Sequence, residues 1–184
     1  MARKVISRYA GLIISSPKAR SRLLFIFLLL LVSIQACEKD DICVDGDTPL
    51  LIIRFYDIAD TAELKSATSL RVIGLGQSGT VNTFNDRSTT DSIGLPLKID
   101  QSETSFVFIL NSADTDGEET GNADTLRISY DPKEVFVSRA CGYVINFENL
   151  AITPPADTDP WIGDLTIVKP NVENQSGAHV KIFY

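Results

Sequence analysis

From residue 48 onward the apolar residues recur at every second position rather than every third or fourth, and this period decides what the chain can become. In DTLRISYD (124–131), Leu126, Ile128 and Tyr130 alternate with Arg127 and Ser129. Successive side chains of a strand point to opposite faces, so this pattern makes a half-buried strand. In TSFVFILN (104–111) both alternating sets are apolar, Phe106, Phe108 and Leu110 on one face and Val107 and Ile109 on the other. Such a strand is expected to be covered on both sides.

The same reading predicts strands over 49–57, 69–75, 80–84, 92–99, 134–140, 143–150, 165–169 and 179–184, all rich in β-branched and aromatic residues and separated by Gly, Pro, Asn and Asp clusters. Pro96 marks an edge or a bulge inside 92–99. Only 59–69 has room for a helical turn or two. Strands without intervening helices predict an all-β sandwich of about eight to ten short strands, immunoglobulin-like or transthyretin-like, as one domain over 48–184.

The first 36 residues read differently. They contain no Asp or Glu, carry Arg3, Lys4, Arg8, Lys18, Arg20 and Arg22, and end in the apolar run LLFIFLLLLVSI (23–34). That run falls short of the about 20 residues a membrane-crossing helix needs. A basic front, a short apolar core and a small residue before the cut are features of a secretory signal peptide, here 1–36. The sequence Ile34-Gln35-Ala36-Cys37 resembles the lipobox of bacterial lipoproteins, although Gln35 departs from the usual small or aliphatic residue. The resemblance implies that Cys37 begins the mature chain and carries acyl chains such as palmitate, each buried methylene contributing about 0.8 kcal/mol of anchorage. The alternative is an uncleaved signal anchor with Cys37 an ordinary thiol.

Glu38, Lys39, Asp40 and Asp41 follow, within a 37–47 tether. They resemble the export signal of surface lipoproteins in the Bacteroidota, which implies an outer-membrane, cell-surface location. Read as a solvated tether alone, the same residues leave the protein facing the periplasm.

Charge narrows the partners. After residue 36 the chain holds 11 basic and 24 acidic residues, a net of −13. Such a surface repels nucleic acid and anionic lipid, so no nucleic-acid partner is expected. With Cys37 assigned to lipid, Cys43 and Cys141 remain, and in an oxidising compartment an even pair is most simply a disulfide. The competing reading is a free, buried pair.

Across 37–184, the order of lipobox cysteine, CVDGDTPLLIIRFYD, LRVIGLG, LPLKID, ISYD, ACGYVINFENL and terminal HVKIFY resembles a domain-of-unknown-function family of Bacteroidota lipoproteins. The two cysteines match the family, which implies the address and supplies no activity, cofactor or catalytic residue.

Two loops carry residue types suited to binding. In SADTDGEETGNAD (112–124), Ser112, Asp114, Asp116 and Gly117 occupy the first, third, fifth and sixth positions of an EF-hand-like loop, but Ala123 stands where the bidentate Glu belongs. Asp114, Asp116 and Glu118 make this a weak calcium candidate, set against a solvated hairpin loop. In ITPPADTDPWIGD (152–164), Trp161 is a candidate ligand contact that would stack on a sugar or anchor a protein interface; the alternative is that it covers the end of the sandwich. His179 has no nucleophile motif near it, and GLGQSG (74–79) lacks the lysine of a phosphate loop and reads as a hairpin turn. Glu148, alternating with Ile145 and Phe147, is expected to face solvent. No cofactor and no catalytic residue are predicted. The expected role is a lipid-anchored, non-catalytic binding or assembly module with a protein partner in the outer membrane, with a carbohydrate-binding accessory, and after it a secreted-type hydrolase, as alternatives.

Overall fold

The structure is a computed structural model that describes residues 18, 21–22, 24–28, 42–43, 46–156 and 158–184. Two compact units result, Met1–Ile42 and Cys43–Tyr184. In the first, residues 18, 21, 22 and 24–28 are helical. Among the described residues no helix is long and apolar enough to cross a membrane.

The second unit holds nine strands among the described residues: β1 (Leu51–Tyr56), β2 (Ala67–Gly74), β3 (Ser88–Thr90), β4 (Ser92–Leu95), β5 (Glu103–Thr115), β6 (Glu118–Ser138), β7 (Gly142–Thr153), β8 (Asp164–Ile167) and β9 (Val180–Phe183). They form two sheets, ordered β4-β1-β9-β8 and β3-β2-β5-β6-β7. Neighbours run antiparallel except β1 and β9, which pair in parallel from Ile53↔Val180 to Tyr56↔Phe183. The sheets pack together as an all-β sandwich.

Period-two alternation builds the core between them. Leu51, Ile53 and Phe55 of β1, Ile93 and Leu95 of β4, and Val180 and Ile182 of β9 come from one sheet. Leu70 and Val72 of β2, Phe106 and Phe108 of β5, Leu126, Ile128 and Tyr130 of β6, and Phe147 of β7 come from the other. Each fully buried side chain of this kind stabilises the fold by about 1.5–3 kcal/mol. The second apolar face of β5 is covered unevenly, with Ile109 buried and Val107 half-buried.

Four expectations are corrected. The stretch 80–84 forms no strand; Val81 and Phe84 pack on the core from a loop, and only an isolated bridge joins Thr80 to Ile73. The third strand is Ser88–Thr90 instead, which has no apolar alternation to announce it. Over 59–69 no helix forms, because Asp57 and Asp60 accept hydrogen bonds from the N–H groups of Ala59 and Ala62 (2.7 and 3.2 Å) and close turns that compete with a helix. Strand 92–99 ends at Leu95, where Pro96 removes the next donor.

The fourth correction joins 124–131 and 134–140 into the 21-residue β6, straight through Pro132. Pro132 lies opposite Phe147, whose N–H and C=O both bond to Val172 (3.1 and 2.7 Å) and so point away from β6. The pair is therefore of the non-hydrogen-bonded kind, and β7 asks nothing of the missing proline N–H. On the other side β5 pairs no further along β6 than Ser129. A bulge between Ser129 and Asp131 shifts the register where β6 passes from one partner to the other.

Candidate functional site

The start of the sandwich is fastened to the far end of the β6–β7 hairpin. Cys43 and Cys141 form a disulfide across 98 residues of sequence, with their Cα atoms 4.9 Å apart. Cys141 lies in the turn between Ser138 and Gly142, where its N–H donates to Ser138 Oγ at 3.0 Å. Gly46 packs against the bridge so closely that a Cβ there would overlap Cys43 Sγ. Cys37 and the residues Glu38, Lys39, Asp40 and Asp41 lie outside the described residues.

Trp161 is not a surface residue. The residue is 9% exposed and its ring stands between the sheets, 6.2 Å from Phe55 and 5.2 Å from Tyr184 between centroids. Its Nε1–H donates to the Phe108 carbonyl at 3.2 Å. The loop carrying it is fastened at three further points: Asn122 Nδ2 to the Asp159 carbonyl (2.8 Å), Ile162 N–H to buried Asp124 Oδ2 (2.7 Å), and Gly163 N–H to the Phe183 carbonyl (2.9 Å). Proline-rich rigidity and an apolar ring thus close one end of the sandwich: of the two readings of Trp161, the candidate ligand contact is corrected and the cover over the end of the sandwich is the one the burial agrees with. Asp124 was legible in principle, since it shares the parity of Leu126, Ile128 and Tyr130 and so belongs to the buried face.

The acidic segment is a hairpin rather than a metal loop. β5 and β6 stay paired out to Thr115↔Glu118, leaving Asp116-Gly117 as a two-residue turn with φ of 58° and 87°. Both residues take the left-handed conformation a type I′ turn requires, which glycine adopts without strain. Asp114 Oδ1 accepts the Gly117 N–H at 2.9 Å. Antiparallel pairing therefore uses up the chain that would have wrapped around an ion, and Asp114, Asp116 and Glu118 are corrected from calcium candidates to turn and strand residues. Among the described residues no three His, Cys, Asp or Glu side chains converge as a metal site would need.

Glu119, on the same hairpin, meets two cations. Its Oε2 accepts from Arg71 (2.6 Å) and Arg87 (3.0 Å) and its Oε1 from Ser112 (2.7 Å). Partial burial raises its pKa, but the bonds from Ser112, Arg71 and Arg87 outweigh this and hold the carboxyl below its ordinary value. Glu148 forms a surface ion pair with Lys133 at 2.6 Å. The arrangement is that of a surface pair across β6 and β7, not of a carboxyl shielded for acid catalysis.

The GLGQSG stretch does build a turn, Gln77 N–H donating to the Gly74 carbonyl at 2.8 Å, and this turn forms one wall of a cleft of about 440 Å3. Pro96, Leu97, Lys98, Thr104 and Phe106 also line it. Thr104 Oγ1 bonds the Tyr130 hydroxyl at 2.5 Å and accepts the Lys98 N–H at 3.0 Å, while Tyr130 donates to the Lys98 carbonyl at 2.9 Å. Burial raises the Tyr130 pKa above its ordinary value despite these bonds, so the triangle is neutral at physiological pH. The cleft offers a mainly apolar seat with one lysine at its edge.

Taken together, fold and sites define a disulfide-fastened two-sheet β-sandwich whose buried polar residues serve to hold its ends shut. Residues 69–184 match DUF6452, a family of unknown function, and the chain belongs to that family. No curated protein and no solved structure matches it.

Proposed function

We propose that this chain is a lipid-anchored protein of a bacterial outer membrane, exposed at the cell surface, and that its sandwich serves as a non-catalytic binding or assembly module for a protein partner there. The observation that carries the reading is the Cys43–Cys141 disulfide, six positions after the lipobox-like Cys37. A bond of this kind belongs to proteins that have left the reducing cytosol. The sequence before it supplies the export and acylation signals, and the acidic residues after Cys37 supply the surface signal. Support for a binding role over chemistry comes from His179, the single histidine, whose ring nitrogen is occupied by the backbone of Ile52. Trp161, on which a carbohydrate role would rest, is enclosed.

Metabolic labelling with an alkyne analogue of palmitate tests the anchor. Wild-type protein takes up label and Cys37→Ala does not; equal labelling of the two would remove the reading. Proteinase K shaving of intact cells tests the orientation. Wild-type protein is expected to be digested, while a Lys39→Ala/Asp40→Ala/Asp41→Ala variant is protected.

A further inference from the structure

We propose that the tip of the β6–β7 hairpin is a membrane contact that lies in the interfacial layer of the bilayer and fixes how the sandwich stands on it. Phe136 and Tyr143 face each other across this hairpin, with ring centroids 5.3 Å apart in an edge-to-face arrangement. Such a cross-strand pair helps the hairpin form. The two residues nevertheless remain 55% and 62% exposed, on the part of the hairpin that extends past Ser129, the last β6 residue paired with β5. Aromatic rings with this exposure gain by lying at a headgroup boundary, where tyrosine also keeps its hydroxyl in water.

Charge selects the same surface. Between Glu134 and Glu148 the run 135–147 has no acidic residue, in a chain otherwise rich in them, and it carries Arg139, exposed in the turn. The strongly acidic remainder, exposed Asp47 beside the disulfide included, is repelled by anionic headgroups, whereas the 135–147 run itself carries no negative charge and Arg139 can meet a phosphate.

Covalent reach completes the argument, and here the inference rests on the lipid-anchor reading. Cys141, two residues before Tyr143, is bonded to Cys43, which follows Cys37 by six positions. Six extended residues span at most about 20 Å. An acylated Cys37 therefore holds Cys43 within about 20 Å of the headgroups, and the turn at Cys141, whose Cα lies 4.9 Å from that of Cys43, is the part of the fold that this short leash brings toward the bilayer.

The test uses the full chain produced in its own cell, with photo-crosslinking p-benzoylphenylalanine placed at Phe136, at Tyr143 or, as a control at the opposite end of β6, at Glu118. Isolated envelopes are irradiated and lipid adducts on the labelled peptides are measured by mass spectrometry. We expect about tenfold more lipid adduct at 136 and 143 than at 118. Equal adducts at all three positions overturn the proposal, and so do adducts to a second polypeptide or a second copy in place of lipid. The mass of the amino-terminal peptide in the same sample reports on the anchor separately. If Cys37 is unmodified the anchor reading falls, while lipid adducts at the tip would still uphold the contact and their absence would overturn it.

Discussion

His179 and Ile52 exchange two hydrogen bonds across the junction of β1 and β9. The Ile52 N–H donates to the His179 ring Nδ1 at 2.9 Å, and the His179 N–H donates to the Ile52 carbonyl at 2.8 Å. An imidazole thus continues the parallel ladder by one rung before the strands pair. The His179 carbonyl also accepts from Val168 and Lys169, at 2.7 and 3.2 Å, which draws the β8 end into the same corner. With Nδ1 an acceptor, the ring is neutral and its proton sits on Nε2, toward the Asn174 carbonyl.

This geometry predicts a pH limb. Burial first, and the charge of Lys169 second, depress the His179 pKa below its ordinary 6.5, against the opposing bond to Asn174. The unfolded chain then binds a proton that the folded chain refuses, so stability is full above about 6.5 and falls as pH drops below it toward the folded-state value. Denaturant midpoints measured from pH 8 to 5 should show the fall. His179→Leu should remove this part of the slope and, by leaving the Ile52 N–H without its acceptor, cost about 1–3 kcal/mol at pH 8.

How much of this was legible depended on how local the cause was. Strand after strand could be read from alternation, because a half-buried strand writes its own period, and Cys43 and Cys141 could be paired from parity and compartment. Over 112–124 a hairpin loop was one of the two readings, beside a calcium loop, and the Asp116-Gly117 pair that shortens it to a two-residue turn is itself a local signal. Burial of Trp161 and Asp124 is legible in the sequence, but the partners that His179, Trp161 and Asp124 clamp are not, since Ile52, Phe108 and Ile162 lie 127, 53 and 38 residues away. Pro132 misled for a related reason: a proline breaks a strand only where its N–H is wanted, and that is decided by the register with β7.

The disulfide should carry a large share of the stability. In the chain-entropy view, a loop of 98 residues constrains the unfolded chain by up to about 4.7 kcal/mol. Cys43→Ala/Cys141→Ala is expected to lower the unfolding free energy by about 2–5 kcal/mol, measured in urea without reductant. Gly46→Ala probes the same place more gently. Its methyl would meet Cys43 Sγ, a bridged atom that cannot swing aside, so we expect a loss of about 1–3 kcal/mol and a larger fraction of unpaired thiol on maleimide titration.

Trp161→Ala should unfold the chain more readily by about 3–5 kcal/mol, because the ring fills the space between Phe55 and Tyr184. Trp161→Phe keeps most of the volume and forfeits the bond to the Phe108 carbonyl, at a cost of about 1–3 kcal/mol. As this is the single tryptophan, its fluorescence in the wild type should report global unfolding and coincide with the circular-dichroism transition. A small, reversible change on adding glycans, with no change in stability from Trp161→Ala, would contradict the core placement.

A second pH limb should arise at Glu119, well separated from the first. Its carboxyl is held below the ordinary 4.5 by Ser112, Arg71 and Arg87 acting against partial burial. For an acid with a depressed folded-state pKa the sign follows directly: its contribution is present above about 4.5 and is lost as pH falls through the lower, folded-state value. Because the side chain is 30% exposed, solvent screens the two ion pairs and the whole contribution should be near 1 kcal/mol. Glu119→Gln keeps the shape and removes the charge. It should lower stability by about that amount at pH 7, do so less in high salt, and flatten the slope below pH 4.5 while leaving the His179 limb in place. Loss of both limbs together would mean that the corner at His179 and the hairpin at Glu119 are coupled, contrary to the independence expected of sites that share no partner.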